Sequence, residues 1–140
     1  MGNLFGALGI SASGMTAERL RMDVTSDNLA NADSTRGPDG QPYRRQEVVL
    51  QTGGQSFSDA LGNAQAGVQV AGIVDDPTPG QQVYDPGNPD ANAQGYVTMP
   101  NVNTVTEMTD LITESRSYEA NTQAMTTAKE LYLKTIDLLR

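Results

Sequence analysis

The last third of the chain carries an apolar residue at every seventh position, and this repeat constrains the fold more than any other feature of the sequence. A spacing of seven places all members on one side of an α-helix, as in a coiled coil or helix bundle. Ala124, Leu131 and Leu138 widen the stripe by one position. The repeat itself consists of Leu111, Tyr118, Met125, Tyr132 and Leu139.

The repeat predicts a helix from about Thr104 to Leu138. Thr104, followed three residues later by Glu107, predicts a capping box at its start, shortly after Pro100. At 1.5 Å per residue, such a helix is on the order of 50 Å long. A compact domain of 140 residues cannot cover that length, so we expect the helix to pack against others.

A second helix with apolar stripes is predicted from about Leu4 to Ala30. Ile10, Ala17 and Val24 lie roughly opposite the first stripe of this helix, which predicts more than one neighbour. Three glycines lower its intrinsic stability by roughly 1 kcal/mol each relative to Ala, so it should be frayed when alone. The first stripe consists of Leu8, Met15, Met22 and Leu29.

The segment between the helices is rich in Gly, Pro, Asn, Asp and Gln, and its pattern predicts short strands. Tyr43–Gln51 reads as one strand, and the valines around Gly72 predict a second strand with a bulge or an edge position. Shorter strands are predicted near Gln82–Tyr84 and Tyr96–Met99, and a mobile loop from about Thr52 to Gly67. The order of elements predicts an α+β chain with a small, thinly cored β module.

Composition excludes several classes of function. The chain has no Cys and no His, which removes disulfides, thiolate nucleophiles, and the commonest general base and metal ligand. A net charge of −8 with nine scattered Lys and Arg argues against nucleic acid as a partner. No segment approaches the roughly 20 apolar residues that span a bilayer, and the N-terminus lacks a signal-peptide pattern. We therefore predict no membrane insertion and no cleaved signal peptide.

Asp90, Asn92, Gln94 and Gly95 resemble the first half of a calcium-binding loop. However, the twelfth position is Asn101 instead of a bidentate Glu, and nearby prolines forbid a flanking helix. A turn between two strands is the better interpretation, and we predict no metal site.

Asp75, Asp76 and Asp85 could suggest acid–base chemistry. Nothing in the sequence around them indicates a pocket or a positioning partner, so they read as solvated turn residues. We predict no catalytic residue, no cofactor site and no enzyme activity.

The segment TSDNLANADSTRG follows the apolar pattern of the first helix. Asn and Asp tolerate left-handed backbone angles and bond to nearby backbone groups. Asn28, Asn31, Asp33 and Ser34 therefore suit a helix end followed by a fixed turn. A contact with a neighbour in an assembly is the alternative, and the sequence does not separate the two.

Several blocks of the sequence are similar to one known family. They are SASGMTAERLRMDVTSDNLANADST (11–35), GPDGQPYRRQEVVL (37–50), VYDPGNPDANAQGYVTMPNVNTVTEM (83–108) and SRSYEANTQAM (115–125), followed by KTIDLLR to the end. The family is that of the bacterial flagellar basal-body rod proteins. The first block is shared in style by rod and hook proteins, whereas the second and third resemble proximal-rod subunits.

The resemblance implies an axial protein that passes unfolded through the flagellar type III export apparatus. It would then polymerise in the periplasmic space with copies of itself and other rod subunits. Residues 1–34 and 101–140 would pair as a coiled-coil domain, with residues 35–100 as an outer β-rich domain whose flexible loop lies near 52–67. The positions that match the family motif are Ser26, Asn28, Ala30 and Asn31 in the first helix, and Tyr118, Glu119, Ala120 and Asn121 in the second.

Two other interpretations remain at this point. One is a different axial subunit of the rod or hook, although the short β module disfavours the larger distal-rod and hook types. The other is a secreted helical adaptor that folds as a monomer or a small coiled coil.

Overall fold

Within the described residues, four short strands lie between two long helices, in the order that the sequence predicts. In a computed structural model, residues 2–53 and 67–138 are described. The first helix, α1, is followed by two antiparallel strand pairs and then by the second helix, α2, which confirms the α+β class. The elements are α1 (Gly2–Ala30), β1 (Gln46–Thr52), β2 (Val68–Asp75), β3 (Gln82–Tyr84), β4 (Tyr96–Thr98) and α2 (Thr104–Leu138).

The two helices pack against each other in antiparallel orientation. The Thr25 hydroxyl donates a hydrogen bond to Glu114, whereas Gly14, nearer the start of α1, lies against Asn121 of α2. Residues closer to the end of α1 therefore contact residues closer to the start of α2. Neither helix contains, within the described residues, a stretch long and apolar enough to cross a membrane.

β1 and β2 form a hairpin with the predicted bulge. Val49 pairs with Gly72 and Leu50 pairs with Val70, so Ala71 is the extra residue on β2. β1 begins at Gln46 instead of Tyr43, because the preceding backbone is bonded elsewhere: the Tyr43 N–H donates to the Ser34 carbonyl at 3.0 Å. The predicted mobile loop lies mostly outside the described residues, which resume at Gly67.

The β1–β2 hairpin is attached to α1 at both of its ends. At one end, the Asn28 side chain bonds to the backbone of Gln46. At the other end, the Val68 N–H donates to the Ser13 hydroxyl at 3.1 Å. The hairpin therefore lies alongside the helix between Ser13 and Asn28.

β3 and β4 form a second, smaller hairpin. Tyr84 pairs with Tyr96, and their rings meet edge to face with centroids 5.3 Å apart. Gly95, with φ of +81°, supplies the left-handed turn before β4. Val97 of β4 is buried, and both predicted short strands are confirmed.

The predicted capping box at the start of α2 is wrong. The Asn103 Oδ1 atom accepts hydrogen bonds from the N–H groups of Val105 and Thr106, at 3.1 and 3.2 Å. Asn103 is therefore the cap, in agreement with the preference of Asn for this position. Glu107 is directed toward α1 and β1 instead.

The buried interior contains almost as many polar as apolar side chains. Among the described residues, the buried apolar side chains are Ala17, Val24, Ala32, Val97 and Pro100. The buried polar side chains are Thr25, Asn28, Glu107 and Glu114. Because buried polar groups need partners, these four side chains depend on hydrogen bonds within the fold.

Candidate assembly site at the helix junction

Asn28 joins α1, β1 and α2. Its Nδ2 atom donates to the Gln46 carbonyl at 2.8 Å and to Glu107 Oε2 at 3.0 Å. Its Oδ1 atom accepts from the Gln46 N–H and from the Tyr43 hydroxyl, both at 2.9 Å. The side chain is 1% exposed, and its two donor hydrogens and two acceptor lone pairs are all used. Asn28 therefore fixes where the helices and the β1–β2 hairpin meet.

Glu107 is the anionic member of this network. Its Oε1 atom accepts from Arg45 Nε at 2.7 Å, and the residue is 1% exposed. Arg45 also lies 3.6 Å from Glu47 and 3.7 Å from Asp110. The hydrogen bond to Glu107 raises the pKa of Arg45 above its usual value. A buried carboxylate is thus neutralised by a guanidinium from the end of the connecting segment.

Burial and the surrounding acidic groups act on Tyr43 in the same direction. Desolvation raises the pKa of its phenol, and the negative charges of Asp27, Asp75 and Glu107 raise it further. The hydroxyl therefore stays protonated at neutral pH. It can act as the donor that Asn28 requires.

Glu114 forms a second polar layer one step further along α2. Its Oε1 atom accepts from the Thr25 hydroxyl at 3.2 Å, and Arg21 Nε lies 3.5 Å away. Its Oε2 atom is buried and has no hydrogen-bond partner among the described residues. Burial raises the pKa of this carboxyl above its ordinary value, against the lowering effects of Thr25 and Arg21. The second layer is therefore less completely satisfied than the first.

Asn121 continues the polar stripe of α2, because Glu107, Glu114 and Asn121 are spaced by seven. A Cβ atom added at Gly14 would lie 3.0 Å from Asn121 Nδ2, so glycine permits the close approach of the helices here. The neighbouring Thr122 hydroxyl lies 3.3 Å from the Met15 sulfur. The apolar repeat did not predict this polar stripe. The seven-residue spacing of Glu107, Glu114 and Asn121 was the signal for it in the sequence.

The predicted apolar seam is only partly covered within one chain. On α1, its members are half-buried, whereas Ala17 and Val24 of the second stripe are fully buried. On α2, Met125 is 37% exposed, and Leu139 lies outside the described residues. The half-buried members are Leu8, Met15, Met22, Leu29, Leu111, Tyr118 and Tyr132.

Other positions of the family motif have lesser roles within the chain. Asn31 Nδ2 donates to the Asp27 carbonyl, and its Oδ1 accepts from the Ser34 hydroxyl. Ser26 donates to the Met22 carbonyl on the exposed side. Ala30, Glu119 and Ala120 are exposed. α1 ends at Ala30 and a turn follows, as the sequence predicts, but this turn needs no left-handed angle, because only Gly40 and Gly95 have positive φ among the described residues.

The acidic segment near Asp90 forms a turn. Asn92 Oδ1 accepts from the backbone N–H groups of Gln94 and Tyr96, both at 2.9 Å. Asp90 pairs with Arg36 at 3.0 Å and accepts from the Thr35 hydroxyl at 2.9 Å. Within residues 2–53 and 67–138, no three acidic side chains converge closely enough to hold a metal ion. The oxygen atoms of this segment serve local structure.

Asp75, Asp76 and Asp85 also bond to neighbours close to the strands. Asp76 accepts from the Thr78 N–H at 2.8 Å, and hydrogen bonds with the side chain and then the backbone of Thr78 lower the pKa of its carboxyl. Asp85 accepts from the Gly87 N–H, and Asp75 from the Gln46 amide. The three carboxylates are thus engaged in turns and strand ends.

Comparisons with known proteins agree with this architecture. The family model described as "Flagella basal body rod protein" matches residues 8–38. The family model described as "Flagellar basal body rod FlgEFG protein C-terminal" matches residues 93–138. The two matches cover most of α1 and of α2, together with the turns that lead out of and into them.

Curated proteins match almost the whole chain. The flagellar basal-body rod protein FlgC of Yersinia enterocolitica is 47% identical, covering 97% of this chain and 98% of its own. FlgC of Bacillus subtilis is 48% identical, covering 96% and 97%. FlgC of Borreliella burgdorferi is 40% identical, covering 98% of both chains. The chain therefore belongs to the FlgC family of flagellar basal-body rod proteins.

Proposed function

We propose that this rod protein is exported through the flagellar type III apparatus, polymerises in the periplasmic space through its terminal helices, and transmits torque as part of the proximal rod. It is a structural subunit of the flagellar basal body and not an enzyme. Its partners in this proposal are copies of itself, other rod subunits and, during export, the type III apparatus.

The exposed apolar surface of α2 carries this proposal. With about 100° per residue, Val105, Met108 and Ile112 point away from the buried Glu107 and Glu114. A lone soluble domain rarely exposes so much apolar surface on one element. Burial of these side chains by neighbouring subunits is the simplest explanation for their exposure in the single chain. The exposed large apolar side chains of α2 are Val105, Met108, Ile112, Met125, Leu131, Leu133 and Ile136.

The proposed roles of the two parts of the chain follow from this distribution of exposed apolar side chains. Residues 1–34 and 101–140 would form the helical inner domain and pair as a coiled coil with neighbours. Residues 35–100 would form the outer β-rich domain. Each Leu or Met that a neighbour encloses would contribute roughly 1.5–3 kcal/mol. Assembly would thereby stabilise helices whose apolar side chains are partly exposed in the single chain.

A single substitution at Met125 tests the proposal. Met125→Asp places a charge at a position that is 37% exposed in the single chain but would be dry in the assembled rod. We expect normal export and little change in the unfolding of the purified chain, together with loss of swimming in cells that depend on this protein. Export is measured by immunoblot, and swimming by motility in soft agar.

Gln94→Asp is the matched control, because Gln94 is exposed and lies in the turn before β4, outside both helices. This variant should swim normally. Normal swimming by Met125→Asp would contradict the proposed seam. Failure of export by that variant would instead show that the substitution acts before assembly.

A further inference from the structure

A cleft of about 400 Å³ opens between α1, β1 and α2, beside the polar network. One part of its wall is aliphatic, formed by Val24, Val48 and Leu50. The remaining wall is mainly charged and includes Asp110 and Glu114. A long cationic side chain has the matching composition, with an aliphatic stem and a charged end.

The charges around the cleft are unequal in number. Arg21 and Arg45 are the cations that contact the acidic groups here. Three of the carboxylates that they contact line the cleft, those of Glu47, Asp110 and Glu114, so the wall carries a formal excess of one negative charge.

Among these carboxylates, Glu114 is the one with a buried oxygen that accepts no hydrogen bond from the described residues. The residue is 3% exposed, and its Oε2 atom has no donor among the described residues. Rotation about the terminal torsion of a Glu side chain has broad minima, so an entering donor can be met by a small turn of the carboxylate. The same carboxylates do not converge in the way a metal ion requires. A hydrogen-bond donor on an organic cation would match both this acceptor and the charge of the wall.

We propose that this cleft binds an arginine side chain from a second copy of the chain, with Glu114 as its principal acceptor. This inference rests on the proposed assembly of the subunit and assigns one of its contacts. The chain itself offers complementary groups. Among the described residues, the exposed arginines that form no ion pair are Arg19, Arg44 and Arg116.

The first experiment uses N-acetyl-arginine amide as a probe for the full-length chain. We expect saturable changes in the amide chemical shifts of Thr25, Val48 and Glu114 in NMR spectra. Glu114→Gln, which keeps the shape but removes the charge, should weaken the apparent affinity at least fivefold. Asp85→Asn removes a distant, exposed carboxylate and should leave the affinity unchanged. Magnesium chloride at matched ionic strength should give no saturable shifts at these amides.

Failure of the probe to saturate, or equal affinity in wild type and Glu114→Gln, would overturn the site. Circular dichroism of both variants separates loss of binding from loss of fold. These outcomes leave the proposed rod function untouched, since that function is tested by Met125→Asp.

A second experiment identifies the source of the arginine. Sedimentation velocity over a range of protein concentration measures self-association of wild type and Glu114→Gln. We expect weaker self-association in the variant, and inhibition of wild-type self-association by the probe. If the probe binds but self-association is unaffected by either change, the assignment to a second copy is wrong.

Discussion

The two ends of the helix pair differ in what they bury. At the junction with the β1–β2 hairpin, Asn28 and Glu107 are almost completely enclosed and hydrogen-bonded. At the opposite end, Leu131, Leu133 and Ile136 of α2 are exposed. Polar contacts thus fix the arrangement within the chain, whereas the apolar side chains at the opposite end stay uncovered in the single chain and lie on the surface that we propose for assembly.

Polar contacts suit the first task because they specify register. A buried ion pair contributes little net stability, but a slipped arrangement would leave Asn28 and Glu107 buried without partners. Apolar stripes alone do not prevent such shifts in helix register, because a shifted apolar side chain still meets another apolar side chain. The junction therefore selects one arrangement of the helices from several that bury similar area.

The largest effect is expected for Arg45→Met, which tests whether the junction depends on its charge pair. Glu107 would remain buried and keep only Asn28 as a partner. Removing one member of a buried pair costs about 3–5 kcal/mol in the free energy of unfolding, measured by urea denaturation. Arg44→Met is the control, because Arg44 is exposed. Equal stability of the two variants would contradict the proposed role of the junction.

A smaller loss is expected for Asn28→Asp, which changes one donor into an acceptor without changing shape. The new oxygen would face the Gln46 carbonyl and Glu107, so two hydrogen bonds would become repulsive contacts. We expect a loss of about 2–3 kcal/mol in the free energy of unfolding at pH 7. Asn31→Asp alters a half-buried amide three residues away and should cost clearly less. The reverse order would show that the junction is not centred on Asn28.

We expect Glu114 to make a pH-dependent contribution to the free energy of unfolding, and this contribution distinguishes the second polar layer from the first. Its pKa is raised above 4.5 by burial, so the folded chain holds this proton where the unfolded chain has lost it. Its stabilising contribution is fully present below about pH 4.5 and is lost as pH rises through the folded-state pKa. Glu114→Gln should therefore be more stable than wild type at pH 7 by about 1 kcal/mol.

This advantage should disappear below pH 4.5, where the wild-type carboxyl is neutral in both states. Urea denaturation at pH 4 and pH 7 gives the comparison. Glu119→Gln, on the exposed side of α2, should differ little from wild type at either pH. A Glu114→Gln variant that is less stable at pH 7 than at pH 4, relative to wild type, would reverse the sign and refute the argument.

The smallest effects are expected toward the far end of the helix pair. A Cβ atom at Gly9 would meet nothing within 4 Å, so Gly9→Ala should raise the free energy of unfolding by about 0.5–1 kcal/mol through helix propensity. At Gly14, the added methyl would press on Asn121, and the gain should be smaller. Equal gains in thermal denaturation would indicate that the helices do not approach closely at Gly14.

The elements were predictable because their signals are local. The seven-residue repeat indicated α2 from Thr104 to Leu138, and the valines around Gly72 indicated the bulged strand. The polar junction was not predicted from the hydrophobic pattern, because that pattern assigns Glu and Asn to the surface. Asn28 was identified only as part of the helix end and by its match to the family motif. The start of β1 was missed for a related reason, since the bond between Tyr43 and Ser34 joins residues that no strand pattern connects.

The two attachments of the β1–β2 hairpin to α1 have a consequence for length. Along α1, Asn28 and Ser13 are separated by a rise of about 22 Å at 1.5 Å per residue. Along the hairpin, the span from Gln46 to Thr52, the partner of Val68, is about 20 Å at 3.3 Å per residue. The strand and the helix segment thus have nearly equal lengths, so both ends of the hairpin can reach their partners on α1. Adding or removing a residue pair in β1 and β2 would release one of its two ends.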